Sequence, residues 1–339
     1  MTVDDRKRRV LEAIVALYGM DGEPVGSSLL SEYLDMAVSS ATLRNEMAAL
    51  TKLGLLAQPH TSAGRVPSPQ GYRYYVDHLL QDIPALDAES RRMVDSLFYN
   101  MDIEPEKLAQ SAARALADVT GVAAAATTPR ADDLCIAHFE VVQVGRYSAA
   151  VLAVTSAGGV RTRVARVDTG LSRQEAAAMA QLLNAHLSFV SPADLSDAML
   201  ISLARQCSPQ LTPVLGAAAA LIRTEPVARL EGAQNLVKWP ESRRNLATLL
   251  EIFADSANAS HLIAPDGGKL TVQLGDEMEP AMPGISIISK RYLAGGGLTG
   301  TVALIGPSRM NFRKLIPIMD YFSTKLGQCM SGKNQEALE

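Results

Sequence analysis

The amino-acid sequence predicts an α+β fold divided between two or three domains, and three observations support that prediction. The chain has 339 residues, more than one hydrophobic core normally organises. Its first eighty residues combine apolar positions at helical spacing with two short strand-like runs around a turn. The remainder holds two stretches of strand-like sequence, which a long alanine-rich helical stretch separates.

Two helices are predicted at the N-terminus. The first begins at Asp4 or Asp5, either of which can cap it, and ends between Gly19 and Gly22. Ser27 can cap a short second helix that runs to about residue 34.

A third helix is predicted to begin at Ser39 or Ser40 and to stop at Gly54. At about 100° per residue, one side of it gathers the apolar residues Leu43, Met47 and Leu50. This side is predicted to face the core.

The opposite side of the third helix carries small and polar residues, Ala41, Asn45, Ala48 and Lys52, with Thr42 and Arg44 beside them. Small alanines allow the backbone to approach a partner, arginine can pair bidentately with guanine, and asparagine can pair with adenine. An ordinary solvated helix face is the alternative interpretation.

A β-hairpin is predicted next, with strands near residues 55–58 and at Val66, joined by a turn in which Gly64 can take a positive φ. The order of three helices and a hairpin is that of a winged helix-turn-helix, whose third helix enters the major groove. Side chains at the hairpin tip would then contact phosphates: His60, Thr61, Ser62 and Arg65. Arg65 could instead enter a minor groove. A fourth helix is predicted to follow, capped by Ser68.

Residues 1–80 are not basic overall. They hold eight Lys and Arg against nine Asp and Glu, a net charge of −1. DNA-binding modules are usually basic, so the cations must be focused at residues 6–9, Arg44, Lys52 and Arg65. Few phosphate contacts per subunit predict weak binding by one subunit and a need for two linked subunits.

The rest of the chain is predicted to begin with a linker at 81–103 and an amphipathic helix that ends at Gly121. An antiparallel meander follows at 134–144, 147–154 and 160–167, and then a helical stretch runs to about residue 230. Strands are predicted again at 261–264, 270–274, 285–292 and 301–305, and a last helix at about 309–326. The simplest account is a helical insertion into an antiparallel α/β domain.

No catalytic, metal or cofactor site is predicted. The "GGGLTG" run at 295–300 precedes a strand-like run, whereas a dinucleotide site needs a helix there, so a hairpin loop is predicted. The five histidines and three cysteines show no metal or nucleophile spacing. Neither a signal peptide nor a membrane-length apolar run is evident, and the net charge of −4 is mild. A non-enzymatic, cytoplasmic protein is expected.

Residues 41–77, "ATLRNEMAALTKLGLLAQPHTSAGRVPSPQGYRYYVD", closely resemble the heat-inducible transcription repressor HrcA family of bacteria. "NLVKWPE" at 235–241 and "IGPSRMNFRKLIPIMDYF" at 305–322 resemble two further blocks of that family. The resemblance thus covers essentially the whole chain. Two departures are the "GDEM" at 275–278 and Lys52, which stands in an often acidic part of the helix end.

The resemblance implies a winged helix-turn-helix at 1–80, a GAF-like domain at 104–168 and 231–339, and an inserted dimerising domain at 169–230. It implies a homodimer that binds double-stranded DNA at an inverted-repeat operator of the CIRCE type, represses chaperone operons and releases them on heat stress. The GroEL chaperonin is the implied modulating partner, and no cofactor is implied.

The candidate DNA-binding residues are Ser39, Ser40, Thr42, Arg44, Asn45, Lys52, His60, Thr61, Ser62 and Arg65. Arg44 and Asn45 are expected to read bases, while the hydroxyls near the helix N-terminus are expected near a phosphate. Two alternatives stay open: a regulator that binds a small ligand in its GAF-like domain, and a protein-interaction module without DNA binding.

Overall fold

The computed structural model describes residues 3–34, 39–80, 83–99, 101, 104–131, 135–156, 159–192, 194–223, 227–267, 269–295 and 297–332. Two compact units are present. The first comprises 1–129, 227–295 and 300–339, and the second comprises 130–226 and 296–299. Leu134, where the first meander strand was predicted to start, lies outside the described residues, as do parts of the predicted linker at 81–103.

The N-terminal segment (residues 3–80) follows the predicted order of three helices, a hairpin and a fourth helix. Its elements are α1 (Asp5–Asp21), α2 (Ser27–Leu34), α3 (Ser40–Lys52), β1 (Leu56–Ala57), β2 (Val66–Pro67) and α4 (Pro69–Tyr74), with a π-helical turn at Tyr75–Leu79. Asp4 caps α1 by accepting from the Lys7 amide, and Gly22 ends it at a φ of 74°. Both predicted ends are therefore confirmed.

The core of this segment lies between its helices. α1 packs on α2 and α3, and the buried side chains include Val10, Leu11, Ile14, Leu30, Leu43, Met47, Leu50, Tyr72 and Tyr75. Burying one such side chain contributes about 1.5–3 kcal/mol, so this small segment depends on nearly all of them. The predicted core side of α3 is confirmed.

A mixed α/β layer structure forms the rest of the first unit. Its helices are α5 (Ala88–Leu97), α6 (Pro105–Thr120), α10 (Pro240–Arg243), α11 (Leu246–Phe253), α12 (Ser256–Leu262) and α13 (Phe312–Met330). Its strands are β3 (Ala123–Thr127), β8 (Ala228–Glu231), β9 (Thr271–Leu274), β10 (Ile285–Leu293) and β11 (Leu298–Pro307), in the order β8-β3-β11-β10-β9. β3 pairs antiparallel with β8 and with β11.

Both faces of this sheet are covered. α6 packs on β3 and α13 packs on β10. On one side of the sheet, alternate strand residues form a single core with side chains from α11, α12 and the connecting segments. Its members are Ala123, Ala125, Ile285, Ile287, Ala303, Ile305, Leu236, Leu249, Leu262, Ile263, Met278 and Met282. The period of two along each strand explains why these residues share a face.

One predicted strand is wrong. Residues 261–264 were expected to form a strand, but His261 lies in the last turn of α12. Asp255 caps that helix by accepting from the amides of Ala257 and Asn258, and the local cap decides the conformation. The buried alanine strand β3 and the short β8 were not predicted, because alanine carries no β signal.

The second unit holds β4 (Arg130–Ala131), β5 (Ile136–Gly145), β6 (Ser148–Thr155), β7 (Val160–Arg166), α7 (Arg173–Leu187), α8 (Asp197–Ala204) and α9 (Thr212–Ile222). Of these strands, β5, β6 and β7 form the predicted antiparallel meander, with β6 in the middle.

One buried core joins this meander to the helices, including Phe139 and Val151 from the strands and Leu183 and Val214 from the helices. This packing thus indicates a different domain boundary from the one expected at residue 169. The strands at 136–166 pack with the expected insertion, because their apolar face is covered by α7 and α9.

Candidate nucleic-acid interface

The third helix, α3, presents the predicted polar side outward. Arg44, Asn45 and Lys52 are exposed, whereas Leu43 and Leu50 are fully buried. No described residue forms an ion pair with Arg44 or Lys52. Both cations are therefore available to a polyanion.

The hydroxyls at the start of α3 serve the helix itself. Ser39 caps it by accepting from the Thr42 amide at 3.2 Å, and its Oγ lies 3.0 Å from Thr42 Oγ1. Ser40 follows as the first helical residue and is exposed. Three predicted contact residues thus lie at one helix end, where free amides favour a negative charge.

The hairpin tip is organised by Gln58. Its side-chain amide donates to the carbonyls of Thr61 at 2.9 Å and Ala63 at 3.1 Å. His60, Thr61 and Ser62 are exposed on the loop that Gln58 holds. This role of Gln58 was missed from the sequence, although an amide side chain directly before a polar turn is a usable signal.

The base of the hairpin pairs with the segment before α2. Val25 and Arg65 exchange two backbone hydrogen bonds, both 2.9 Å long. Gly64 does not take the positive φ that was predicted. Glycine is required there for another reason, since a Cβ would lie 2.3 Å from the Val25 carbonyl oxygen.

The side chain of Arg65 is half-buried and points toward α3. Its Nε donates to Thr51 Oγ1 at 3.0 Å, and its Nη1 lies 3.4 Å from the Gly64 carbonyl and 3.5 Å from that of Ala63. Arg65 therefore links the hairpin to the last turn of α3 and is not a free side chain at the tip.

A cleft of about 310 Å³ separates α3 from the hairpin. Four of the predicted residues line it, Arg44, Thr61, Ser62 and Arg65, together with Gly26, Ser27, Met47, Gln58, Ala63 and Gly64. The other six predicted residues lie outside it on α3 or at the tip: Ser39, Ser40, Thr42, Asn45, Lys52 and His60. Two arginines facing one cleft suit a phosphate group.

Three cations at the start of α1, where positive charge was expected to be focused, form ion pairs inside the segment. Lys7 Nζ lies 3.2 Å from Glu46 and Arg6 Nη1 lies 3.7 Å from the same carboxylate, while Arg8 lies 3.8 Å from Asp5. Hydrogen bonds to Asp4 and then to Glu46 raise the pKa of the Lys7 ammonium. Much of this charge is compensated inside the segment.

Three other features of the described residues concern metal sites, the glycine run and membrane-spanning helices. Nowhere in that part of the chain do three His, Cys, Asp or Glu side chains come close enough together to hold a metal ion. The strand β11 begins at Leu298, inside the glycine run at 295–300, so the predicted loop is shorter than expected and a strand, not a helix, comes after it. Within the described ranges, every helix is too short or too polar to span a lipid bilayer.

Comparison with known proteins points to one family. Residues 106–316 match the family described as the HrcA protein C terminal domain. The heat-inducible transcription repressor HrcA of Desulforudis audaxviator is 32% identical over 345 residues, which cover 97% of this chain and 98% of that protein. The protein of the same name from Moorella thermoacetica is 33% identical over 344 residues, with coverage of 97% and 98%.

A solved structure supports the fold. A crystal structure described as that of a hypothetical protein at 2.2 Å resolution has a TM-score of 0.62 and 25% identity, and the match covers 98% of this chain and 99% of that one. The domain match and the full-length relatives agree on the family. This chain belongs to the HrcA family of heat-inducible transcription repressors.

Proposed function

We propose that the chain is a homodimeric, sequence-specific repressor that binds an inverted-repeat operator of the CIRCE type upstream of chaperone operons. In this proposal the N-terminal segment is a winged helix-turn-helix, α3 is its recognition helix and the hairpin is its wing. The sheet β8-β3-β11-β10-β9 and the helices that pack on it form a GAF-like domain, and the second unit contains the dimerising surface. The protein acts in the cytoplasm, releases DNA on heat stress and is kept active by the GroEL chaperonin.

One observation carries the DNA-binding part of the proposal: Arg44 and Arg65 face the same cleft between α3 and the hairpin. Arg44 is exposed on the outer side of a helix whose other side is buried, as base reading in a major groove requires. Thr61 and Ser62 add hydroxyl donors for phosphate on the hairpin side of the cleft.

The charge of the segment supports the need for two subunits. Because Glu46 compensates Arg6 and Lys7, each segment offers few phosphate contacts and binds weakly alone. Linking two segments makes the second contact intramolecular and raises the affinity about 10²–10⁴-fold.

The test is a titration of the full-length protein with inverted-repeat, half-site and scrambled duplexes across a series of salt concentrations. We expect the inverted repeat to bind most tightly and binding to weaken steeply with salt. Equal affinity for repeat and scrambled DNA would refute a sequence-specific repressor. A small ligand that restored discrimination would support the effector-responsive alternative. Repeating the titration at rising temperature, with and without chaperonin, tests the heat response.

A further inference from the structure

The two C-terminal sequence blocks that stand out, "NLVKWPE" and "IGPSRM", meet in space at the end of α1. Arg309, from the second block, connects them. Its guanidinium pairs with Glu241 and lies 4.5 Å from the centre of the Trp239 ring. Its Nη1 lies 3.4 Å from the carbonyl oxygen of Gly19.

The end of α1 is shaped to receive this side chain. A Cβ at Gly22 would lie 2.9 Å from Arg309 Cζ, and one at Gly19 would lie 3.0 Å from the Arg309 carbonyl oxygen. α1 has no basic residue in its last turn, so Arg309 supplies the cation that the negative end of the helix dipole favours. Its side chain is only 11% exposed, which strengthens each of these contacts.

A second contact joins the same two parts of the chain. Arg73 of the N-terminal segment donates to Glu277 and, at 3.0 Å, to the carbonyl of Val272 beside it. The Tyr72 hydroxyl and the Trp239 indole nitrogen are buried without a hydrogen-bond partner among the described residues.

We propose that Arg309 is a positioning residue for DNA binding. By joining the end of α1 to Trp239 and Glu241, it fixes the orientation of the N-terminal segment relative to the rest of the first unit. In a dimer that orientation sets the separation between the two α3 helices, and so the operator spacing that both can reach. The inference rests on the proposed DNA-binding function, but the contact itself can be measured without DNA.

The DNA arm of the test compares Arg309→Ala and Arg309→Lys with the wild-type full chain. The duplexes are a half-site, the inverted repeat, and a repeat with about five extra base pairs, half a helical turn, between half-sites. We expect Arg309→Ala to keep half-site affinity but to lose about tenfold or more on the inverted repeat, because bivalent contact is lost. The difference in its affinity between the natural repeat and the repeat with extra base pairs should also become smaller. Lysine should restore part of the loss, since it keeps the charge but not the planar fork.

The arm without DNA uses Trp239, the single tryptophan of the chain. We expect Arg309→Ala to shift its emission to longer wavelength and to speed amide exchange in the last turn of α1, with the far-ultraviolet circular dichroism unchanged. Glu241→Gln weakens the same contact more gently and serves if Arg309→Ala does not fold. Arg244→Ala, at an exposed arginine next to α10, is the matched control and should change nothing.

Two results would overturn the inference. A parallel fall of half-site and repeat affinity would mean that Arg309 only stabilises the fold. Unchanged emission and exchange would mean that it does not hold the segment. If the wild type does not prefer the inverted repeat, the proposed function fails, and the emission and exchange data still decide whether Arg309 fixes the segment.

Discussion

Arg65 donates from Nε to the hydroxyl of Thr51 at 3.0 Å, so the hairpin is tied to the last turn of α3. The same hydroxyl donates to the Met47 carbonyl at 2.8 Å, which fixes its orientation. In the proposed complex, helix and hairpin would therefore move together. Arg65 therefore has two proposed roles: it is a cation for phosphate, and it is a structural tether between the hairpin and α3.

Arg65→Ala removes both roles, whereas Thr51→Val removes only the tether. We expect Arg65→Ala to weaken binding to all sequences alike and to flatten the slope of log affinity against log salt by about one, because one phosphate contact is lost. We expect Thr51→Val to lower operator affinity with the slope unchanged. Fluorescence anisotropy titrations at several salt concentrations measure both quantities.

Arg65→Lys is the control, because it keeps a cation without the planar donor set. Equal slopes for Arg65→Ala and the wild type would show that Arg65 meets no phosphate. A changed preference at A·T-rich positions in Arg65→Ala would instead place this side chain in a minor groove.

Arg44→Ala tests base reading by α3. Arg44 is exposed, lines the cleft and has no ion pair among the described residues, so its loss should leave the fold intact. We expect operator binding to weaken by about 1–3 kcal/mol and the preference at one base position to relax. Affinity selection on a randomised half-site reports the lost preference. Arg205→Ala, at an exposed arginine after α8, should bind like the wild type, and identical base preferences in both variants would refute the assignment.

Ser39 can be tested for capping and DNA contact separately. Its side chain accepts from the Thr42 amide, so Ser39→Ala should lower the free energy of unfolding by about 1 kcal/mol. Ser39→Asp keeps a good cap but adds a negative charge at the proposed DNA surface. We therefore expect Ser39→Asp to unfold like the wild type and to bind DNA more weakly. Undiminished DNA binding by Ser39→Asp would show that this helix end lies away from phosphate.

Much of the N-terminal segment was predictable because its signals are local. The cap at Asp4, the stop at Gly22 and the cap at Ser68 each depend on residues within one turn, and all appear as expected. The buried and exposed sides of α3 follow from a period of 3.6 residues alone. The exposed candidates Arg44 and Asn45 could therefore be placed correctly on the helix surface.

What could not be predicted depends on contacts between distant residues. The half-buried position of Arg65 depends on Thr51, fourteen residues earlier, and the ion pair between Lys7 and Glu46 joins α1 to α3. The alanine strand β3 takes its conformation from pairing with β8 and β11, because alanine itself favours no strand. Arg309 carried no sequence signal for a contact with α1, since 290 residues separate it from Gly19.

Gly64→Ala tests whether the hairpin depends on close approach to the segment before α2. A Cβ there would lie 2.3 Å from the Val25 oxygen and 2.4 Å from its carbonyl carbon, and backbone atoms cannot move aside cheaply. We expect the paired backbone of Val25 and Arg65 to separate and the free energy of unfolding to fall by about 1–3 kcal/mol, measured by urea denaturation.

Gly26→Ala is the matched control, next to Val25. A Cβ at Gly26 meets nothing within 4 Å, so this variant should be as stable as the wild type or more stable by about 0.4–1 kcal/mol. Both glycines line the cleft between α3 and the hairpin, so the two variants are compared by stability and amide exchange rather than by operator affinity. If Gly64→Ala kept wild-type stability and slow exchange of the Val25 amide, the close approach would not be needed to hold the hairpin.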